Sequence, residues 1–174
     1  MSDPEQIITG LKLQPGMHVA DLGAGSGFYT FAAARAVGVQ GKVYAVDVLK
    51  DMLLKIRSDA RDRRVANIEI VWGDMERVGG TKLADGVLDA VVLANTLFQI
   101  EDKRAAIEEI KRILKPKGKL LLVDWSESFG GMGPTPDHIV IKEKARNLFE
   151  QAGFTFREEI PAGEHHYALI FSKK

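Results

Sequence analysis

The chain has 174 residues, 45% hydrophobic and 28% charged, which is one domain's worth of ordinary globular sequence. Its 24 basic and 24 acidic residues cancel to a formal net charge of zero, which does not favour nucleic acid as a partner. With no cysteine, disulfides, thiolate metal sites and thiol nucleophiles are excluded.

The opening Met1 to Gln6 is polar and acidic, unlike a signal peptide, and no apolar run nears the roughly 18 residues of a membrane span. A cytoplasmic protein without a membrane span is the expectation. Ser2 and Asp3 before Pro4 read as an N-cap and first turn, predicting a short helix from Pro4 to about Gly10. After the Pro15-Gly16 turn, His18 to Asp21 reads as a short buried strand. Gly27 to Val37 is an Ala-rich helix closed by Gly38. Lys42 to Asp47 is the second strand, Leu49 to about Arg63 a charged amphipathic helix, and Ile68 to Trp72 the third strand. Gly79 to Gly86 reads as a loop. Leu88 to Ala94 is apolar throughout, as in a central strand covered on both faces.

Asp102 to Leu114 is predicted helical and is stopped by Lys115-Pro116-Lys117-Gly118. Lys119 to Asp124 is strand five, Gly130 to Pro136 is turn-rich, and Asp137 to Ala152 is predicted as one helix. Thr155 to Ile160 and Tyr167 to Ser172 are the last strands. The link from Pro161 to His166 is too short for a helical crossover, so the final strand must be antiparallel. The alternation of strand and helix predicts an α/β fold, a doubly wound and mostly parallel sheet.

Chemistry concentrates where strands end. Strand one runs into Asp21-Leu22-Gly23-Ala24-Gly25-Ser26-Gly27 and then a helix. Glycines there permit positive φ and close ligand approach, and the helix start offers free N–H groups. The third glycine falls one residue earlier than in the dinucleotide G-x-G-x-x-G pattern. Asp47 ends strand two, 24 residues after Gly23, where a carboxylate can accept from ribose hydroxyls. Gly73-Asp74 follows strand three, where a carboxylate can accept from an adenine amine.

This set resembles the class I S-adenosylmethionine-dependent methyltransferases, closest to the ubiquinone/menaquinone-type and small bacterial methyltransferase-domain proteins. Asp21 to Gly27 resembles their D-x-G-x-G-x-G motif. Lys115-Pro116-Lys117-Gly118 resembles their L-K-P-G-G approach to strand five, with Lys117 in place of a glycine. The resemblance covers nearly the whole chain and implies a single Rossmann-like domain with seven strands ordered 3-2-1-4-5-7-6. It implies S-adenosyl-L-methionine as cofactor and no metal. Asp21, Gly23, Ala24, Gly25 and Gly27 would form the loop against the methionine part. Asp47 would bind ribose. Gly73, Asp74 and Met75 would read adenine, with Val48 and Met75 on either side of the ring. Asn95 and Leu97, beside Thr96, would serve the methionine amino group and the substrate, although Asn95 reads equally well as a helix cap. Two other functions remain open: a nucleotide-dependent oxidoreductase, and a non-catalytic regulatory domain that binds the cofactor.

The methyl acceptor is unidentified, a small molecule or a macromolecule. Ala94-Asn95-Thr96-Leu97 lacks the N-P-P-Y-like run of enzymes acting on base amines. Only 17 residues precede His18, so little chain is expected over the site. A large acceptor or a homo-oligomeric partner would then cover it, with Gly130-Gly131-Met132-Gly133-Pro134 as the candidate lid. An antiparallel last strand begins on the ligand side of the sheet, which brings Gly163 to Tyr167 there along with Asp124. His165, His166, Tyr167 and Asp124 are therefore the candidate catalytic groups. Alternation sends only one of His165 and His166 to a given face, and His166 is preferred as the base because the residue nearer the strand is better held.

Overall fold

A computed structural model describes residues 2–174. The chain enters through helix α1 (Pro4–Leu11), whose start is capped by Asp3 accepting from the Glu5 and Gln6 N–H groups, with Pro4 in the first turn. Five parallel strands are interleaved with helices, except that β3 runs to β4 without one: β1 (His18–Leu22), α2 (Phe28–Val37), β2 (Lys42–Asp47), α3 (Lys50–Asp62), β3 (Ile68–Trp72), β4 (Leu88–Ala94), α4 (Lys103–Ile113) and β5 (Leu114–Trp125). Helix α5 (Lys142–Gln151) leads to the hairpin of β6 (Phe154–Ile160) and β7 (His166–Lys173).

The seven strands lie in the order β3-β2-β1-β4-β5-β7-β6. Strand β7 runs antiparallel to both β5 and β6, and the other pairings are parallel. Sheet order and strand direction agree with the expectation. Strands β1, β4 and β5 are apolar because helices cover both of their faces: one layer holds Ile107, Ile110 and Phe149, the other Ile7, Ala33 and Val37.

Two elements differ from expectation. The helix anticipated over 137–152 is broken: a single 3-10 turn, Pro136–His138, precedes an extended Ile139 to Ile141, and α5 starts only at Lys142. Packing overrides propensity here. Val140 is buried, and its carbonyl accepts the Tyr167 hydroxyl at 2.7 Å, which needs an extended chain. Strand β5 begins at Leu114 rather than Lys119. It pairs Leu114 with Leu88, shifts register, and resumes with Lys119 opposite Ala90. Within that irregularity Lys117 has φ 65°, the left-handed conformation that explains why glycine is the commoner residue there.

Among the described residues, no helix is long and apolar enough to cross a membrane.

Candidate active site

The carboxyl ends of β1 to β5 and the start of β7 open on one cavity of about 770 Å³. Its floor is the loop after β1. The N–H groups of Gly23 and Ala24 both donate to the Val46 carbonyl, at 2.8 and 3.1 Å, so the loop is held against β2. Gly23 has φ 71°, and a Cβ on it would sit 2.6 Å from Thr96 Oγ1. No side chain caps α2, whose N-cap is Gly27, so its first N–H groups and positive pole are left for a ligand.

Asp47 is buried at the end of β2. Its Oδ2 accepts from the Gly25 N–H and its Oδ1 from the Leu49 N–H, both at 2.9 Å. Each oxygen keeps a further lone pair for a ligand hydroxyl. Across the cavity Asp74 Oδ1 accepts from the Glu76 N–H at 2.9 Å, and the Asp74 N–H donates to the Gly80 carbonyl. Gly73, Val48 and Met75 line the same wall. Asn95, at φ 55°, lines the same cavity, and its Oδ1 is buried without a partner among the described residues. It does not cap the following 3-10 turn, Leu97–Gln99.

Three expected cofactor residues lie behind the wall. Asp21 is buried and accepts the Thr30 hydroxyl at 2.7 Å. Burial pushes its carboxyl up to about 7, against the pull of that hydrogen bond. Gly27 packs on Ile56 and Phe31, and Leu97 is in the core. All three shape the loops without lining the cavity.

The four candidate catalytic groups separate. His166 lines the cavity, and both of its ring nitrogens are buried without a partner among the described residues. Burial pushes its pKa down, so the imidazole is neutral near pH 7. It pairs in register with Trp125, and the two rings stand 4.2 Å apart. His165 faces away: Phe129 stacks on its ring at 3.9 Å, and its Nδ1 lies 2.8 Å from Glu127 Oε1. Tyr167 is buried on Val140, and burial raises its phenol pKa further out of reach.

Asp124 is buried with Oδ2 accepting from Phe98 N–H at 3.2 Å and Oδ1 from Trp125 N–H at 2.7 Å. Burial raises its pKa to about 6. It holds the turn after β4 rather than facing the cavity. The expected lid forms a small turn in which Met132 and Phe129 bridge. Gly133 lies against the Trp125 indole, and Met132 reaches the cavity wall.

Sequence reasoning missed Tyr29. It sits in the first turn of α2, is 7% exposed, lines the cavity and has a hydroxyl without a partner among the described residues. Its place just after the glycine loop was the available signal.

The donor set suits S-adenosylmethionine: a carboxylate facing a ribose position, an orphaned amide oxygen, an open helix start and a glycine floor. Comparison with known proteins agrees. Residues 13–153 match the family model described as "Methyltransferase domain". The ubiquinone/menaquinone biosynthesis C-methyltransferase UbiE of Shewanella oneidensis is 34% identical over 131 residues, which are 75% of this chain and 48% of that protein. The chain thus spans about half the length of the curated relatives it matches. A SAM-dependent methyltransferase from Aquifex aeolicus superposes with a TM-score of 0.90 at 26% identity, covering 99% of this chain and 90% of that one. A type 11 methyltransferase from Sulfolobus solfataricus, described as putative in its structure report, shares the fold with a TM-score of 0.79 at 21% identity, over 99% and 93% of the two chains. The matches set the oxidoreductase reading aside. The chain belongs to the methyltransferase domain family, the S-adenosylmethionine-dependent enzymes of class I.

Proposed function

We propose that residues 1–174 form one catalytic domain that moves a methyl group from S-adenosylmethionine to an acceptor entering beside Trp125 and His166. The observation that carries this reading is the convergence of orphaned groups. The four buried side-chain atoms without a partner among the described residues are Tyr29 Oη, Asn95 Oδ1 and both His166 nitrogens, and all belong to residues lining the one cavity. Buried polar groups are costly unless paired, so such a cluster awaits ligands.

In this reading Gly23, Ala24 and Gly25 carry the methionine portion, with Asn95 taking its ammonium group. Asp47 accepts from the ribose hydroxyls. Asp74 accepts from the adenine amine, and Val48 and Met75 flank the ring. The bound cofactor supplies an electrophilic methyl group on a sulfonium. The chain's own work is alignment, which contributes most when the acceptor is held rigidly, and proton removal. His166 is the base: a neutral imidazole nitrogen in the cavity takes the proton that the acceptor loses on methylation. Asp124 and Tyr167 position the elements around it.

Calorimetric titration with S-adenosylhomocysteine and with NADH tests the cofactor assignment. Binding of the first and not the second is expected; no binding of S-adenosylhomocysteine would overturn it. A screen of acceptors with labelled S-adenosylmethionine then tests turnover and separates an enzyme from a cofactor-binding regulatory domain.

A further inference from the structure

Residues 73–87 join β3 to β4 without a helix, and Gly73, Asp74, Met75 and Glu76 at their start line the cavity. Asp74 is nonetheless firmly supported. Its N–H donates to the Gly80 carbonyl at 2.9 Å, and the Gly80 N–H donates to the Arg77 carbonyl at 2.8 Å. The two stretches of backbone touch, since a Cβ on Gly73 would sit 2.6 Å from the Gly80 carbonyl. Gly80 is the surface on which Asp74 rests.

The residues on either side of Gly80 are fastened to α4. Glu109, fully buried, accepts from the Gly79 N–H through Oε1 at 2.8 Å. Its Oε2 accepts from the Thr81 N–H at 3.1 Å and from the Thr81 hydroxyl at 2.7 Å. Arg112 donates from Nε to Oε1 and from Nη2 to Oε2, both at 2.8 Å, and reaches on to the Leu83 carbonyl. Burial alone would raise the Glu109 carboxyl, but the Arg112 guanidinium and the donors of the loop outweigh it and hold it at about 2. Glu76 makes a second tie to the start of α4. Its N–H donates to Asp74 Oδ1, and its Oε1 accepts from the Glu101 and Asp102 N–H groups at 3.1 and 2.9 Å. Glu109, Arg112 and Thr81 do not themselves line the cavity.

From this we infer that the Glu109–Arg112 pair is a specificity device. Through Gly79 and Thr81 it fixes the direction of the Asp74 carboxylate, and so selects a base with an exocyclic amine over one with a carbonyl. The inference rests on the assignment of Asp74 to the adenine amine. A carboxylate discriminates only while its direction is fixed: toward an amine it gains a charged hydrogen bond, toward a carbonyl oxygen it meets a second acceptor. A loop free to turn aside would escape that repulsion and lose the selectivity. Stability alone is a weak reason for the pair, because a buried ion pair repays little beyond its own desolvation. Glu109, Arg112 and Thr81 are positioning residues, acting on the base through Asp74.

The test compares calorimetric affinities for S-adenosylhomocysteine and S-inosylhomocysteine, whose base carries a carbonyl where adenine carries an amine. The parent should favour the adenosyl ligand by at least about tenfold, the value of one hydrogen bond to a charged group. Glu109→Gln turns an amide N–H toward the loop's donors and should reduce that preference to about threefold or less. Thr81→Val deletes one buried hydroxyl, keeps the ion pair and should lower the preference by about threefold, while Thr81→Ser should keep it. Ile110→Val truncates a buried side chain on the same helix without touching these hydrogen bonds, so it should lose stability and keep the parent's preference. If Glu109→Gln does not fold, Thr81→Val against Thr81→Ser decides alone. An undiminished preference in Thr81→Val, or an equal fall in Ile110→Val, would overturn the inference. A parent that binds both ligands alike would instead refute the assignment of Asp74 to the amine, and one that binds neither would refute the methyl-transfer reading.

Discussion

The Gly25 N–H donates to Asp47 Oδ2 at 2.9 Å, so the glycine loop and the carboxylate that ends β2 are held as one unit. The second oxygen fastens Leu49, at the start of α3. One carboxylate therefore sets the positions of two segments that a nucleoside would touch.

Asp47→Ala is expected to weaken S-adenosylhomocysteine binding by about 1.5–3 kcal/mol, the value of hydrogen bonds to a charged group. Asp47→Asn, which keeps one oxygen for the backbone, should lose less. Calorimetry on both variants checks this. An unchanged affinity for Asp47→Ala would place the ribose elsewhere.

Gly23→Ala meets two obstacles, a left-handed φ of 71° and a contact with Thr96 Oγ1 that would close to 2.6 Å. Pairing it with Thr96→Ser leaves the hydroxyl and should not help, whereas Thr96→Gly removes all three near atoms, Oγ1, Cγ2 and Cβ. The double variant with Thr96→Gly should recover part of the lost thermal stability and still retain the left-handed penalty of about 1–2 kcal/mol. Full recovery would mean that backbone strain contributes nothing there.

Asp21 and Asp124 have folded-state pKa values raised from 3.8 to about 7 and about 6, in both cases chiefly by burial. The folded protein keeps protons that the unfolded chain releases. Their contribution to stability is therefore full below about pH 4 and is lost as pH rises through 6 to 7. Asp21→Asn keeps an oxygen for Thr30 and carries no charge. It should match the parent near pH 4 and exceed it at pH 8 by the order of 2–4 kcal/mol, at about 1.4 kcal/mol per pKa unit. Urea unfolding at the two pH values decides it; a variant less stable at pH 8 would contradict the assignment.

The two histidines should separate by function. With an acceptor from the screen, His166→Ala is expected to lose about 10²–10³ in kcat while binding cofactor normally, as for removal of a general base. His165→Ala should stay close to the parent, because its ring is held by Phe129 and Glu127 outside the cavity. The acidic limb of the parent's pH–rate profile should lie below the ordinary imidazole value of about 6.5 and vanish in His166→Ala. Equal activity of both variants would leave alignment alone as the catalytic device.

Local pattern carried much of this protein. The length of an apolar run, a glycine that ends it and a link too short for a crossover are properties of neighbouring residues, so the sequence by itself determined the strand-helix alternation and the antiparallel β7. The order of the strands came with the family resemblance. The placement of Asp47, Asp74 and His166 at strand ends was legible because ladder pairing puts all parallel carboxyl ends on one side. Tertiary structure alone decided what depends on distant partners. Val140 must be extended to receive Tyr167, which breaks the helix that local propensity predicts. Tyr29 looks like any core aromatic until α1, β5 and β7 assemble around it and place it on the cavity wall. Asp124 follows strand five as a catalytic carboxylate would, yet the turn after β4 folds over it and turns its oxygens to the Phe98 and Trp125 N–H groups. A side chain's direction is a sequence property, but what it meets there depends on contacts far along the chain.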